Sequence, residues 1–364
     1  MGSKKHFHLF DYLTKDEKIQ MNNDYAAKIE INSLEKEAKS KSKPDTCLIC
    51  HTPTTRFCNS HSIPKFCLKQ IASEGYVLTS YAIYDYPILK ETDGIERAGT
   101  FHLICPQCDN KAFKEYEDPN NYDELPNQRM MAQIATKNLL KLIDKRRIEI
   151  EYYKMFCEKH PEFKEHFSTK QTANQLDIVE YEAAFQRACR ALKKDRAEYH
   201  LAFFAKLDYV TPIAFQGQIA MAFDLEGNLI NDLFCYSPQY RIEMINICIL
   251  PMDNKSIIMM FIEDGHKRYR KFLKQFNKLE SLDKLSVISY IVILYSEEVY
   301  LAKSIKGVIE NSPYLKKAAE ENTDYMFDAS VKSQIEEVKE EYNLDNRKLV
   351  PNLLSKEYRV IQDE

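Results

Sequence analysis

Four cysteines share one spacing: Cys47 and Cys50 in "CLIC", Cys105 and Cys108 in "CPQC". A Cys-x-x-Cys turn points two thiolates at one ion, and two such turns make a closed tetrahedral zinc site. Two pairs flanking one compact segment are a strong signal, although the 54 residues between Cys50 and Cys105 exceed the usual finger spacing. An insertion over 70–98, rich in tyrosine, accounts for the excess. A rival set exists. Cys58 and His61 could close a site with Cys47 and Cys50, leaving Cys105 and Cys108 to find His102, Cys67 or His51. The four-cysteine set is the expected one, with Zn2+ in a structural role.

His61, in "NSHSIPKF" at 59–66, is the second chemical signal. It is either a metal corner or a base, since an ordinary imidazole (pKa about 6.5) accepts a proton near neutral pH. Asp109 and Asn110 follow the second cysteine pair, and Lys65, Arg97 and Lys111 are near enough in sequence to contact phosphate. A loop-borne histidine, a helix-start carboxylate and neighbouring cations in one zinc module form a constellation that hydrolysis uses. Plainer readings stand beside this. His61 could be a structural ligand or a hydrogen-bonded core residue, and Asp109 a helix cap. The stripe Lys137, Lys141, Lys145 with Arg146 and Arg147 could be a solvated face. Cys157, Cys189, Cys235 and Cys248 lie in apolar patterns and read as core.

The order Cys-x-x-Cys, then Ser-His with Ile-Pro, then Cys-x-x-Cys at the mouth of a helix resembles the zinc-stabilised HNH, or His-Me finger, nucleases. More closely, "SHSIPKF…GIERAGTFHLICPQCDNKAFKEYE" is similar to bacterial zinc-finger proteins of anti-phage defence type, and to the ring-activated zinc-finger RNases. The resemblance covers about 45–118. It implies a treble-clef or ββα zinc module in which His61 is the general base. Asp109 takes the place of a metal-binding histidine, with Asn110 beside it and Mg2+ or another divalent ion at the active site. Nucleic acid, RNA or DNA, is the implied substrate, and a phage or host protein the implied activator. The chain departs from the pattern at Ser60, where the family carries Asp, Glu or His, and at Asp109 itself. Such a depleted ligand set suits a weaker metal site, or cleavage of RNA through its own 2′-hydroxyl. The competing function is a non-catalytic zinc-finger adaptor that binds nucleic acid or protein.

The elements that must hold these residues follow from hydrophobic period. Residues 14–43 read as a polar helix running into a Lys/Ser linker, and 45–118 as the metal module. Apolar residues at helical spacing predict long helices over 128–158 and 173–207, broken at "EKHPEF" into an antiparallel hairpin. A plain intramolecular core is the first reading of such long seams, and self-association into a homo-oligomer the second. From 208 the pattern turns strand-like: "QIAMAF", a turn at "DLEGN", then "RIEMINICIL" and "KSIIMMFI" around "PMDN". Helices return at 266–280 and 282–306, and the last 30 residues read as charged and helical with a mobile end. The fold class is α+β, mostly helical, in four parts: an N-terminal helix and linker (1–44), the nuclease-like zinc module (45–118), a long helical hairpin (119–207) and a C-terminal α+β sensing or assembly domain (208–364).

The totals agree with a folded, multi-part chain: 364 residues, 44% hydrophobic and 29% charged. A net charge of −4 excludes a general polycation, so nucleic-acid binding would need local basic patches. No stretch reaches the roughly 18 apolar residues of a membrane span, and no signal-peptide core opens the chain. A cytoplasmic location without membrane contact is therefore expected, with the ten cysteines as thiols or metal ligands.

Overall fold

The computed structural model describes residues 23–82, 91–193, 198–235, 237–296, 298–324, 335 and 338–361. The opening Met-Gly-Ser, part of the predicted first helix and residues 83–90 of the insertion lie outside them. Helix α1 (Tyr25–Lys41) is capped by Asp24, whose side chain accepts from the Ala27 amide at 2.9 Å. It buries only Leu34 and Ala38, against Met155.

The metal module comprises β1 (Ser60–His61), α2 (Lys65–Ile71), β2 (Tyr76–Thr79), β3 (Thr92–Gly94), β4 (Thr100–Phe101) and α3 (Pro106–Ala112). Strands β1 and β4 make a two-stranded antiparallel ribbon, with His61 opposite Thr100. Pro106 opens α3 where a helix needs no amide donor.

Helices α4 (Gln128–Lys159) and α5 (Lys164–Lys193) form the expected hairpin, broken at Pro161. Arg146 Nε sits 2.7 Å from Asp177 and the rings of Tyr153 and Phe167 stack at 4.9 Å, so the helices run antiparallel. Residues 130–140 of α4 are buried on every side. That stretch holds four polar residues, and each has a partner. Gln133 accepts from the Tyr116 amide, Thr136 donates to the Ala132 carbonyl, Lys137 meets carboxylates, and Asn138 joins Asn246 and Gln216. The basic stripe is thus no solvated face: Lys137 is 1% exposed and Lys141 is paired with Glu298 at 3.0 Å.

The remaining elements are β5 (Tyr199–Leu207), β6 (Ile213–Ile219), β7 (Ile245–Met252), β8 (Lys255–Glu263), α6 (Arg270–Asn277), α7 (Ser281–Tyr295), β9 (Tyr300–Leu301), α8 (Lys306–Glu310) and α9 (Pro313–Asp324). The helix predicted over 282–306 ends at Tyr295, with strand β9 at Tyr300–Leu301, and the strand predicted at "QIAMAF" ends at Ile219. Two further expectations are corrected here. The second helix stops at Lys193, and 199–207 is strand β5, paired along its length with β8. The described part of the last 30 residues holds 3-10 turns at Leu344–Leu349 and Lys356–Tyr358, and no α-helix. The "DLEGN" and "PMDN" turns form as read, with Gly227 and Asn254 at positive φ.

One seven-stranded sheet, in the order β3-β2-β9-β6-β7-β8-β5, organises the chain. All eight residues of β7 are buried, because both faces of the sheet are covered. Alternate residues divide between them. Ile245, Ile247, Ile249, Ile258 and Met260 meet α6, α7 and α9, while Cys248, Leu250, Ile257, Met259 and Phe261 meet α4 and the metal module. Strands β2 and β3, from the insertion, extend this sheet through β9. The structure is mixed α+β, and among the described residues no helix is long and apolar enough to cross a membrane.

Candidate functional site

The two Cys-x-x-Cys turns meet. The sulfurs of Cys47, Cys50, Cys105 and Cys108 all lie within 4.8 Å of one another, close enough to hold a metal ion. Tetrahedral ligands at the usual thiolate distance stand about 3.8 Å apart, so the cluster fits with small adjustment. The backbone shapes it: His51 takes φ 59° to close the first turn, and its amide donates to the Cys47 carbonyl at 2.8 Å. The Cys105 amide donates to the Cys47 sulfur at 3.4 Å, the bond that knits one knuckle to the other. Burial pushes the Cys47 thiol up, and burial with neighbouring thiols pushes Cys108 up further. A bound cation reverses that order, since a coordinated thiol is deprotonated.

The rival ligand set does not assemble. Cys58 turns its thiol to Asp109 Oδ2 at 3.4 Å, and burial followed by that carboxylate pushes its pKa up to about 11. His61 Nε2 lies 2.9 Å from the Ile95 carbonyl. Cys67 is wholly buried in the core shared with the sheet. His51 is exposed at the turn, and His102 is half-buried with its pKa held low chiefly by burial.

His61 is held from three directions. The ribbon fixes its backbone against Thr100; the Ser62 amide donates to Gly99 at 2.9 Å; Ile95, just past β3, fixes the ring. A carbonyl only accepts, so Nε2 carries the proton and Nδ1 keeps the lone pair. Burial lowers the His61 pKa below the ordinary histidine value, the Ile95 contact opposes this, and Lys137 and Lys65 lower it further. Lys65 is ion-paired with Glu96, the anion that opposes these cations at His61. Arg97 is 73% exposed, with Asp93 at 3.6 Å, and Asn110 and Lys111 are exposed on α3.

Asp109 has other company. Its Oδ1 accepts from the Ser60 hydroxyl at 2.5 Å, its Oδ2 faces Cys58, and the Lys137 ammonium stands 3.8 Å from Oδ1. Lys137 is also paired with Glu117 and lies over the Phe113 and Tyr116 rings, at 4.4 and 5.5 Å from their centroids. The carboxylate that the sequence offered for a divalent ion is therefore satisfied by the protein's own donors. Sequence reasoning placed Lys137 on an exterior stripe; the cue it lacked was that α4 runs through the interior. A cavity lined by Tyr290, Tyr314, Lys317, Glu341 and Asn346 borders the opposite core and is remote from this chemistry.

No family model matches the chain, and neither does any curated protein or any solved structure.

Proposed function

We propose that this protein is a nuclease that cleaves phosphodiester bonds in RNA or DNA, with one zinc ion at Cys47, Cys50, Cys105 and Cys108 as a structural staple and His61 as the general base. The observation that carries this reading is the placement of His61: outside the metal cluster, its pKa lowered chiefly by burial, with Nε2 set against the Ile95 carbonyl. Four thiolates leave zinc no open position, so zinc fixes the fold of the loop and helix and takes no part in the bond change. His61 Nδ1 takes a proton from water or from a ribose hydroxyl as that oxygen attacks phosphorus; the opposite P–O bond breaks, its electron pair leaves with the departing oxygen, and that alkoxide takes a proton from solvent. Lys65, Arg97 and Lys111 bring positive charge to the phosphate. Exposure of Arg97 and Lys111 fits them for that, whereas Lys65 must first exchange Glu96 for phosphate. The sequence resemblance over 45–118 supports a role in bacterial anti-phage defence, with activation by a partner protein.

A second reading, a non-catalytic zinc-finger adaptor, is favoured by one observation: Asp109 is tied to Ser60, Cys58 and Lys137 and so is not free for an active-site ion. One variant separates the two. His61→Ala is expected to lower cleavage of RNA or DNA at least about a hundredfold, the usual scale of a general base, while zinc content stays at one per chain. Retained cleavage, or zinc lost together with stability, rejects the base role.

A further inference from the structure

We infer that the Asp109–Glu117 pair carries a built-in cation, the Lys137 ammonium, where a divalent ion would otherwise sit, so that among the described residues the four cysteines are the one place that takes a metal ion. Lys137 is 1% exposed, and an ammonium so deep is tolerated only when paired. Its partners all come from α3 and the turn after it: Asp109 at 3.8 Å, Glu117, and the faces of Phe113 and Tyr116.

The remaining valences of Asp109 are also taken. Ser60 donates to one oxygen at 2.5 Å and Cys58 approaches the other at 3.4 Å. A dication entering here would have to displace a hydroxyl and a thiol, and would then stand beside a like charge that cannot retreat to solvent. The residue at position 60 fits the same logic. A hydroxyl donates to Asp109, whereas a carboxylate there would face a second carboxylate with one ammonium between three acids. Ser60, Asp109 and Lys137 therefore read as one substitution for a metal centre, made from residues 49 and 28 positions apart.

The test uses the full chain. Native mass spectrometry with elemental analysis is expected to find one zinc per chain, and Mn2+ titration followed by electron paramagnetic resonance to find no second bound ion. A second ion that disappears in Asp109→Asn overturns the inference. Lys137→Arg, which keeps the built-in cation, is expected to keep one zinc and bind no Mn2+, and Mn2+ uptake by it counts against the proposal. Cleavage that requires added Mg2+ or Mn2+ sinks the built-in cation and spares His61 as base. Absence of cleavage under every condition removes the nuclease reading and leaves the metal count standing.

Discussion

At the scale of single residues, the chemistry rests on which proton sits where. Burial lowers the His61 pKa, with Lys137 and Lys65 adding to the effect against the opposing Ile95 contact. Its folded pKa lies below the unfolded one, so the fold binds the proton less readily than the unfolded chain does. The resulting stability is fully present above about pH 6.5, the unfolded value, and is lost as pH falls through the depressed folded value. His102, also held low by burial, contributes in the same direction. Denaturant midpoints measured from pH 8 to 5 are therefore expected to fall more steeply in the wild type than in His61→Gln. Parallel curves would show that His61 is not the buried neutral base described here. The cysteine set was legible in the sequence because ligand spacing is local: each knuckle is written in four residues. The fate of Asp109 was not, because its decisive partner stands 28 residues away on another element, and only packing brings the two together.

At the scale of elements, the β1–β4 ribbon is what aims His61, and Gly99 is the residue that lets it form. Gly99 takes φ +67°, and a Cβ there would come within 2.6 Å of Ser62 Oγ and 3.2 Å of the Tyr300 hydroxyl. Strain and clash together make Gly99→Ala costly, by about 1–3 kcal/mol. We expect that variant to melt lower, to keep its zinc and to lose cleavage as the ribbon shifts; an unchanged melting temperature refutes the packing described. The strands within "RIEMINICIL" and "KSIIMMFI" were readable from their largely apolar runs, which suit a sheet covered on both faces, although the first starts only at Ile245. Strand β5 was not. Tyr199 and Phe203 fall four apart, as on a helix, and a nine-residue run with aromatics at both helical and alternate spacing leaves the choice to tertiary pairing. Pairing with β8 decided it.

At the scale of the whole molecule, the metal module is built into the body. Its strands β2 and β3 continue the central sheet by way of β9, and Ile63, Leu68, Val77, Phe101 and Phe113 share one core with α4 and with Met259 and Phe261 of β8. Small zinc domains often fold alone because metal binding supplies their folding free energy. Here the fragment 45–118, cut free, would expose those five side chains, each costing about 1.5–3 kcal/mol when returned to water. That loss is comparable to the roughly 10–16 kcal/mol that a structural zinc provides, and the fragment also forfeits the pairing of β2 with β9 and the Lys137 contact with Asp109. The isolated fragment is therefore expected to bind zinc yet give poorly dispersed amide NMR signals and no cooperative melt, whereas the full chain unfolds its module and sheet in one transition. A well-dispersed spectrum from 45–118 alone would show that the body does not stabilise the module.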